Sequence, residues 1–180
     1  LSNPINNCPN TTICYGASQT LTASGGANYT CSPSATLTSD TGASVIATPT
    51  ITTSYTVTES ACGNFVNTTL KINTLPSITL YPLNASICYG SNTTIIASGA
   101  VSYSWSPSAS VDNASASLVV ANPTSTATYT VIGIDANTCV GLGYKTINVN
   151  SLPVINTSPN ITIFIGTSTN LSALGADIYN

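Results

Sequence analysis

The sequence predicts an all-β chain of tandem antiparallel β-sandwich modules, and three observations carry that prediction. The first is an internal repeat. Ile13-Cys14-Tyr15-Gly16, Tyr29-Thr30-Cys31-Ser32-Pro33, Thr53-Ser54-Tyr55-Thr56-Val57, Cys62 and Leu75-Pro76 form one series. It returns as Ile87-Cys88-Tyr89-Gly90, Tyr103-Ser104-Trp105-Ser106-Pro107, Ala127-Thr128-Tyr129-Thr130-Val131, Cys139 and Leu152-Pro153. Cys14 to Cys88, Pro33 to Pro107, Pro49 to Pro123 and Tyr55 to Tyr129 share one offset of 74 residues, too constant to arise by chance. The second observation is alternation: short runs of Thr, Val, Ile and Tyr, apolar and polar in turn, broken by Gly, Pro, Asn and Ser. The third is that no window carries an apolar period of about 3.6 residues long enough for a helix.

A third copy opens at Ile163-Phe164-Ile165-Gly166 and breaks off at Tyr179-Asn180, before the position that matches Trp105. The expected units are therefore 1–76, 77–153 and an incomplete 154–180. Taken in order, residues 1–12, with Pro4 and Pro9, read as an irregular lead-in or as a first edge strand that the prolines interrupt. Strands follow near 19–24, 28–32, 43–48, 53–59 and 65–73. In the second unit they fall near 78–82, 93–98, 102–106, 117–121, 127–134 and 142–149. Six or seven short strands per module of roughly 75 residues suggest a sandwich of immunoglobulin type. The expected core includes Tyr29 and Tyr55 in the first module. In the second it includes Ile95, Tyr103, Trp105, Leu118, Val120, Tyr129, Val131 and Ile147. Leu75-Pro76 and Leu152-Pro153 mark the joints, and so short a linker containing proline is stiff.

Charged residues make up 4% of the chain, far below the usual ~25%. Two basic residues offer no surface for phosphates, so nucleic acid is excluded as a partner. No run approaches the ~18 apolar residues of a spanning helix, so no membrane insertion is expected in this segment. A module of this size buries only about 60% of its unfolded surface, so it needs staples or neighbours.

The six cysteines and the absence of histidine point to disulfides in an oxidising compartment rather than to a metal. Cys14 and Cys62 recur together as Cys88 and Cys139, and the simplest expectation pairs them within each module. In the standard strand order, however, the A–B corner (Cys14, Cys88) and the F–G corner (Cys62, Cys139) lie at opposite ends. A pairing between neighbouring modules, such as Cys14 with Cys139, therefore stays open. Cys31 stands where the second module has Trp105, and the same module has the additional Cys8, which suggests a compensating Cys8–Cys31 bridge.

Catalysis finds no material. There is no His to act as a base, and the acids Asp40, Glu59, Asp112, Asp135 and Asp177 show no recurring spacing, so the many Ser and Thr hydroxyls lack an activating partner. No cofactor is expected. Lys71 with Glu59 is the only pair that could be considered for a Lys–Asn type cross-link. Asp135-Ala136-Asn137 reads as a hairpin turn rather than as calcium ligands.

The module pattern of Ile-Cys-x-Gly, Thr-Leu-Thr-Ala-Ser-Gly-Gly, Tyr-x-Trp-Ser-Pro, Thr-x-Tyr-Thr-Val and Asn-x-Cys resembles a known class of repeats. These are the immunoglobulin-like, PKD-like repeats of giant cell-surface proteins of the Bacteroidota, gliding-motility adhesins among them. The resemblance covers residues 13–76, 87–153 and 163–180. It implies export by the type IX secretion route, display on the cell surface or in extracellular filaments, and no catalytic residues. Cys31 for Trp, Phe164 for Cys and the short Cys62-Gly63-Asn64 corner depart from the pattern.

The functional expectation is a stiff, disulfide-stapled stalk segment of an extracellular adhesin or filament, with the neighbouring repeats of the same chain as its partners. Two alternatives stand beside it. One is a carbohydrate-binding array in which exposed Tyr and Asn contact surface polysaccharide. The other is a fibre subunit whose open third half-sandwich is completed by strand exchange with another subunit.

Overall fold

A computed structural model describes residues 9–176, and among them there are strands and no helix. The first repeat contributes β1 (Thr11–Cys14), β2 (Gln19–Thr22), β3 (Tyr29–Ser32), β4 (Ser44–Ala47), β5 (Thr53–Glu59) and β6 (Phe65–Asn73). The second contributes β7 (Thr79–Tyr81), β8 (Ser86–Cys88), β9 (Thr93–Ser98), β10 (Ser102–Ser106), β11 (Leu118–Ala121), β12 (Ala127–Ile134) and β13 (Val140–Asn150). Two short strands follow, β14 (Asn156–Thr157) and β15 (Ala173–Leu174). They pair antiparallel, and the apolar side chains around them, Phe164 and Ile165 among them, are exposed.

In the second repeat one sheet has the order β10-β12-β13-β8 and the other β11-β9-β7. These are strands C-F-G-A′ facing E-B-A, the immunoglobulin-like arrangement. The first repeat has β1-β6-β5-β3 and β2-β4. The expected antiparallel pairing holds except at one place in each repeat: β1 runs parallel to β6, and β8 runs parallel to β13. These two strands are the least legible in sequence. Each is three or four residues long, lies at a sheet edge after prolines, and reaches its partner only across the whole module.

The apolar alternation fills two clusters. Leu21, Val45, Ala47, Tyr55 and Val57 are buried in the first, and their repeat counterparts Ile95, Val119, Ala121, Tyr129 and Val131 are buried in the second. Cys31 occupies in the first cluster the place that Trp105 fills in the second. Tyr29 is buried, and Tyr103 is partly buried against the second cluster. The buried hydroxyls find partners, as burial demands. Tyr55 Oη lies 2.5 Å from Thr36 Oγ1 and Tyr129 Oη 2.5 Å from Ser110 Oγ, at equivalent positions. Trp105 Nε1 donates to the Ala116 carbonyl at 2.9 Å.

The phase of one strand differs from the expectation. Leu118 is exposed and Val120 only partly covered, while Val119 and Ala121 are fully buried. Leu118-Val119-Val120 is continuously apolar, so alternation cannot choose its face. The antiparallel register does, setting Val119 opposite buried Ile95 and Leu118 opposite exposed Ile96, because opposed residues share a face.

One polar tie recurs with different chemistry. Thr68 is buried on β6 and donates to the Pro9 carbonyl at 3.2 Å. Lys145, its counterpart on β13, is buried and donates to the carbonyls of Pro82 and Leu83. Each fastens the segment before the parallel edge strand to the sheet, and burial holds the Lys145 ammonium below the usual lysine range.

Candidate functional site: the joint between the repeats

The first half of the joint is the corner Ile13-Cys14-Tyr15-Gly16. Parallel pairing sets Cys14 opposite Asn73, and Tyr15 N–H donates to the Asn73 carbonyl at 2.8 Å. Ala17 N–H then donates to the Cys14 carbonyl at 3.0 Å, closing a turn that needs Gly16 at φ 84°. The corner points Cys14 away from its own core at the end from which β6 leaves toward Leu75-Pro76.

The second half is the hairpin between β12 and β13. Asp135 Oδ1 accepts N–H bonds from Asn137 at 2.8 Å and Cys139 at 2.9 Å. Thr138 takes a left-handed φ of 64°, and Asp135 N–H closes the loop onto the Cys139 carbonyl at 3.0 Å. The turn-forming reading of Asp135-Ala136-Asn137 is what these bonds describe, since the carboxylate fixes the backbone of the cysteine. No cluster of three or more metal-ligating side chains occurs among the described residues.

Cys14 and Cys139 meet in a disulfide with a Cα–Cα distance of 5.5 Å, joining positions 125 residues apart. This corrects the expected pairing within modules. With Cys14 bonded to Cys139, neither a Cys14–Cys62 nor a Cys88–Cys139 bridge exists, and Cys62 and Cys88 are exposed free thiols. The reason is geometric. Corner and hairpin lie at opposite ends of one sandwich, but the linker brings the corner end of the first repeat against the hairpin end of the second. The expected Cys8–Cys31 bridge involves Cys8, which lies outside the described residues, as do Asp177, Tyr179 and Asn180.

The linker supplies a second attachment beside the disulfide. A side chain at Gly141 would collide with the Pro76 carbonyl, and side chains at Gly133 and Gly143 would collide with the Ile78 side chain. Gly141 lets the linker's Pro76 lie directly on the β12–β13 ribbon, while Gly133 and Gly143 seat Ile78 against the second repeat's own core. Sequence reasoning placed the stiffness in Leu75-Pro76 and missed this platform, whose signal was Gly141-Leu142-Gly143 inside a strand, where glycine otherwise weakens pairing.

The first repeat has its own hairpin carboxylate. Glu59 Oε2 accepts from Cys62 N–H at 2.7 Å and Oε1 from Ala61 N–H at 3.0 Å. These bonds, Cys62 first, hold its carboxyl below the usual carboxylate range against the opposing effect of burial. Both oxygens are thus engaged by backbone, while Lys71 is exposed, and the two do not form a cross-linking pair.

A disulfide across a joint suits a secreted or extracellular domain, and no helix is long and apolar enough to cross a membrane among the described residues. No protein-family model matches the sequence, and no curated protein does. Solved structures similar to this chain include the N-terminal four Ig domains of Dscam1 isoform 1.9, at 11% identity, covering 83% of this chain and 46% of that one, with a TM-score of 0.36. The titin domains I67–I69, as an E-to-A variant, match at 15% identity over 84% of this chain and 68% of theirs, with a TM-score of 0.40. Three N-terminal domains of the outer capsid protein Hoc of bacteriophage RB49 match at 15% identity over 89% and 62%, with a TM-score of 0.38. The chain spans less than half the length of the Dscam1 fragment. By its internal repeat and the strand order of its sheets, the chain is an immunoglobulin-like tandem repeat in fold.

Proposed function

We propose that this chain is a stalk segment of an extracellular bacterial surface adhesin or filament, made of non-enzymatic modules at 1–76, 77–153 and 154–180 whose joints are locked. The observation that carries the reading is the Cys14–Cys139 bond. A linker alone allows two modules to swing. A linker whose Pro76 packs on Gly141, with a covalent bond beside it, attaches them at two points and removes that freedom. A spacer under drag needs this property, and a pair of independent binding modules does not. The scarcity of charge leaves little to steer a partner. Display by the type IX route in the Bacteroidota is the finer form of the proposal and rests on the resemblance of the repeat motifs.

Small-angle scattering and electron microscopy of the full chain, with and without reductant, test the reading. A straight particle that bends more after reduction is the expected result. A freely bending particle with the disulfide intact would overturn it, and so would specific binding on a glycan array, which a spacer should not show.

One observation favours self-association in addition. The outer face of the β12–β13 ribbon carries exposed Ile132, Ile134, Val140, Leu142 and Tyr144, a contiguous apolar stripe of the kind that marks interaction surfaces. Sedimentation of the full chain against Leu142→Asp checks it: lateral association should be lost in the variant, and an unassociated parent chain would dismiss the idea.

A further inference from the structure

The Cys14–Cys139 bond joins one corner cysteine to one hairpin cysteine. The chain holds a second of each kind, and both are unbonded and exposed: Cys88 at a corner and Cys62 at a hairpin. We propose that these are the two open halves of the same joint. Cys88 forms a disulfide with the hairpin cysteine of a repeat docked on the far end of the second module. Cys62 forms one with the corner cysteine of a repeat docked on the near end of the first. The disulfides would then run along the array as a ladder, one at each joint whose corner carries cysteine. The inference rests on the repeat-array reading above and goes beyond it by assigning bonds to both open thiols.

The local geometry of the Cys88 corner supports this independently of its sequence position. Around Cys88 the bonded corner is reproduced bond for bond. Cys88 lies opposite Asn150 in a parallel pair, as Cys14 lies opposite Asn73. Tyr89 N–H donates to Asn150 O at 2.8 Å and Ser91 N–H to Cys88 O at 3.0 Å, the distances found for Tyr15 and Ala17 at the bonded corner. Gly90 has φ 83° against 84° at Gly16. At the hairpins a carboxylate holds the N–H of each cysteine, Glu59 that of Cys62 at 2.7 Å and Asp135 that of Cys139 at 2.9 Å, but Cys62 precedes the left-handed Gly63 while Cys139 follows the left-handed Thr138. Cys88 is therefore presented on the backbone frame that carries a bonded cysteine in the same molecule, whereas Cys62 stands exposed at the tip of its hairpin, two residues before Asn64, whose carbonyl closes that loop as the Cys139 carbonyl closes the other. The third corner keeps the frame, with Thr167 N–H on Phe164 O at 3.1 Å and Gly166 at φ 83°, but carries phenylalanine. The rung on that corner is absent.

Each rung forms by thiol–disulfide exchange with the disulfide form of a thiol oxidoreductase. One cysteine thiolate attacks the oxidant's disulfide, and the other displaces the oxidant from the resulting mixed disulfide. The oxidant leaves as a dithiol carrying the two electrons and two protons that the cysteines gave up.

The test is disulfide mapping of the full protein from its source, alkylated under denaturing conditions before digestion. The expected result is a Cys88 peptide linked to a hairpin cysteine that follows an acidic residue by three or four positions, and a Cys62 peptide linked to a corner cysteine of the Ile-Cys-x-Gly kind. Unreduced and reduced masses distinguish the sources: an unchanged mass places the partner repeat on the same polypeptide, and a fall in mass places it on a second chain. Recovery of Cys62 and Cys88 as alkylated free thiols, or linked to Cys8, Cys31 or each other within one chain, would overturn the proposal. That failure would leave the stalk reading standing wherever the particle is still straight. A bending particle with mapped rungs would instead defeat the stalk and keep the ladder.

Discussion

Pulling the chain by its two ends asks the joint a quantitative question. Load entering at the N-terminus runs to Cys14, crosses the disulfide to Cys139 and leaves through β13, so residues 15–138 are bypassed. They contain β2 to β12 and most of both cores. Fully unfolding the oxidised chain should therefore release only the segments outside the bond. The disulfide closes 125 residue steps, each worth about 3.5 Å when extended, so reduction should add about 440 Å of contour length. The same closure removes unfolded-chain entropy worth about 5 kcal/mol in the loop model. Single-molecule force spectroscopy with and without a thiol reductant reads the difference directly, and Cys14→Ser should behave as the reduced chain does in either buffer. Equal contour lengths with and without reductant would refute the argument, because they would mean that the bond does not carry the load.

Four further outcomes follow from the packing and the hairpin bonds. Gly141→Ala should place a methyl group against the Pro76 carbonyl and destabilise the second repeat by about 1–3 kcal/mol, read as a lowered urea midpoint. Trp105→Ala should cost about 3–5 kcal/mol, since a buried aromatic leaves a cavity. Tyr129→Phe should cost about 1 kcal/mol through loss of its bond to Ser110. Glu59 titrates below its ordinary value of 4.5 because Cys62 and Ala61 donate to it, so the folded state binds fewer protons than the unfolded state as pH falls. Its contribution is fully present above about pH 4.5 and fades as pH drops through the folded value. The gap in urea midpoint between the parent chain and Glu59→Gln should shrink from pH 7 to pH 3, and a gap independent of pH would contradict the assignment.

Most of the fold is legible in the chain because a strand with one wet face writes its period into the sequence. Tyr129-Thr130-Val131 shows which side is buried without any structure, since Thr130 could not replace either neighbour in the core. The repeat then carries that reading from one module to the next. Leu118-Val119-Val120 fails because three apolar residues in a row contain no period, and only the pairing of Val119 with Ile95 chooses the face. The edge strands β1 and β8 fail for a related reason. Their stability comes from parallel partners at the far end of the module, and nothing local to Thr11–Cys14 or Ser86–Cys88 encodes that.

The sequence by itself determined the repeat, the all-β class, the identity of most core positions and the chemistry available, which is thiols and hydroxyls without a base. These depend on residue type and spacing along one strand or one module, and both are visible in one dimension. The tertiary structure alone decided which cysteines meet. Cys14 and Cys62 share a repeat but lie at opposite ends of it, whereas Cys14 and Cys139 lie 125 residues apart and face each other across a linker whose Pro76 is seated on Gly141. Disulfide partners are chosen by a distance of a few ångströms between backbones, and that distance is set by how one folded module docks on the next.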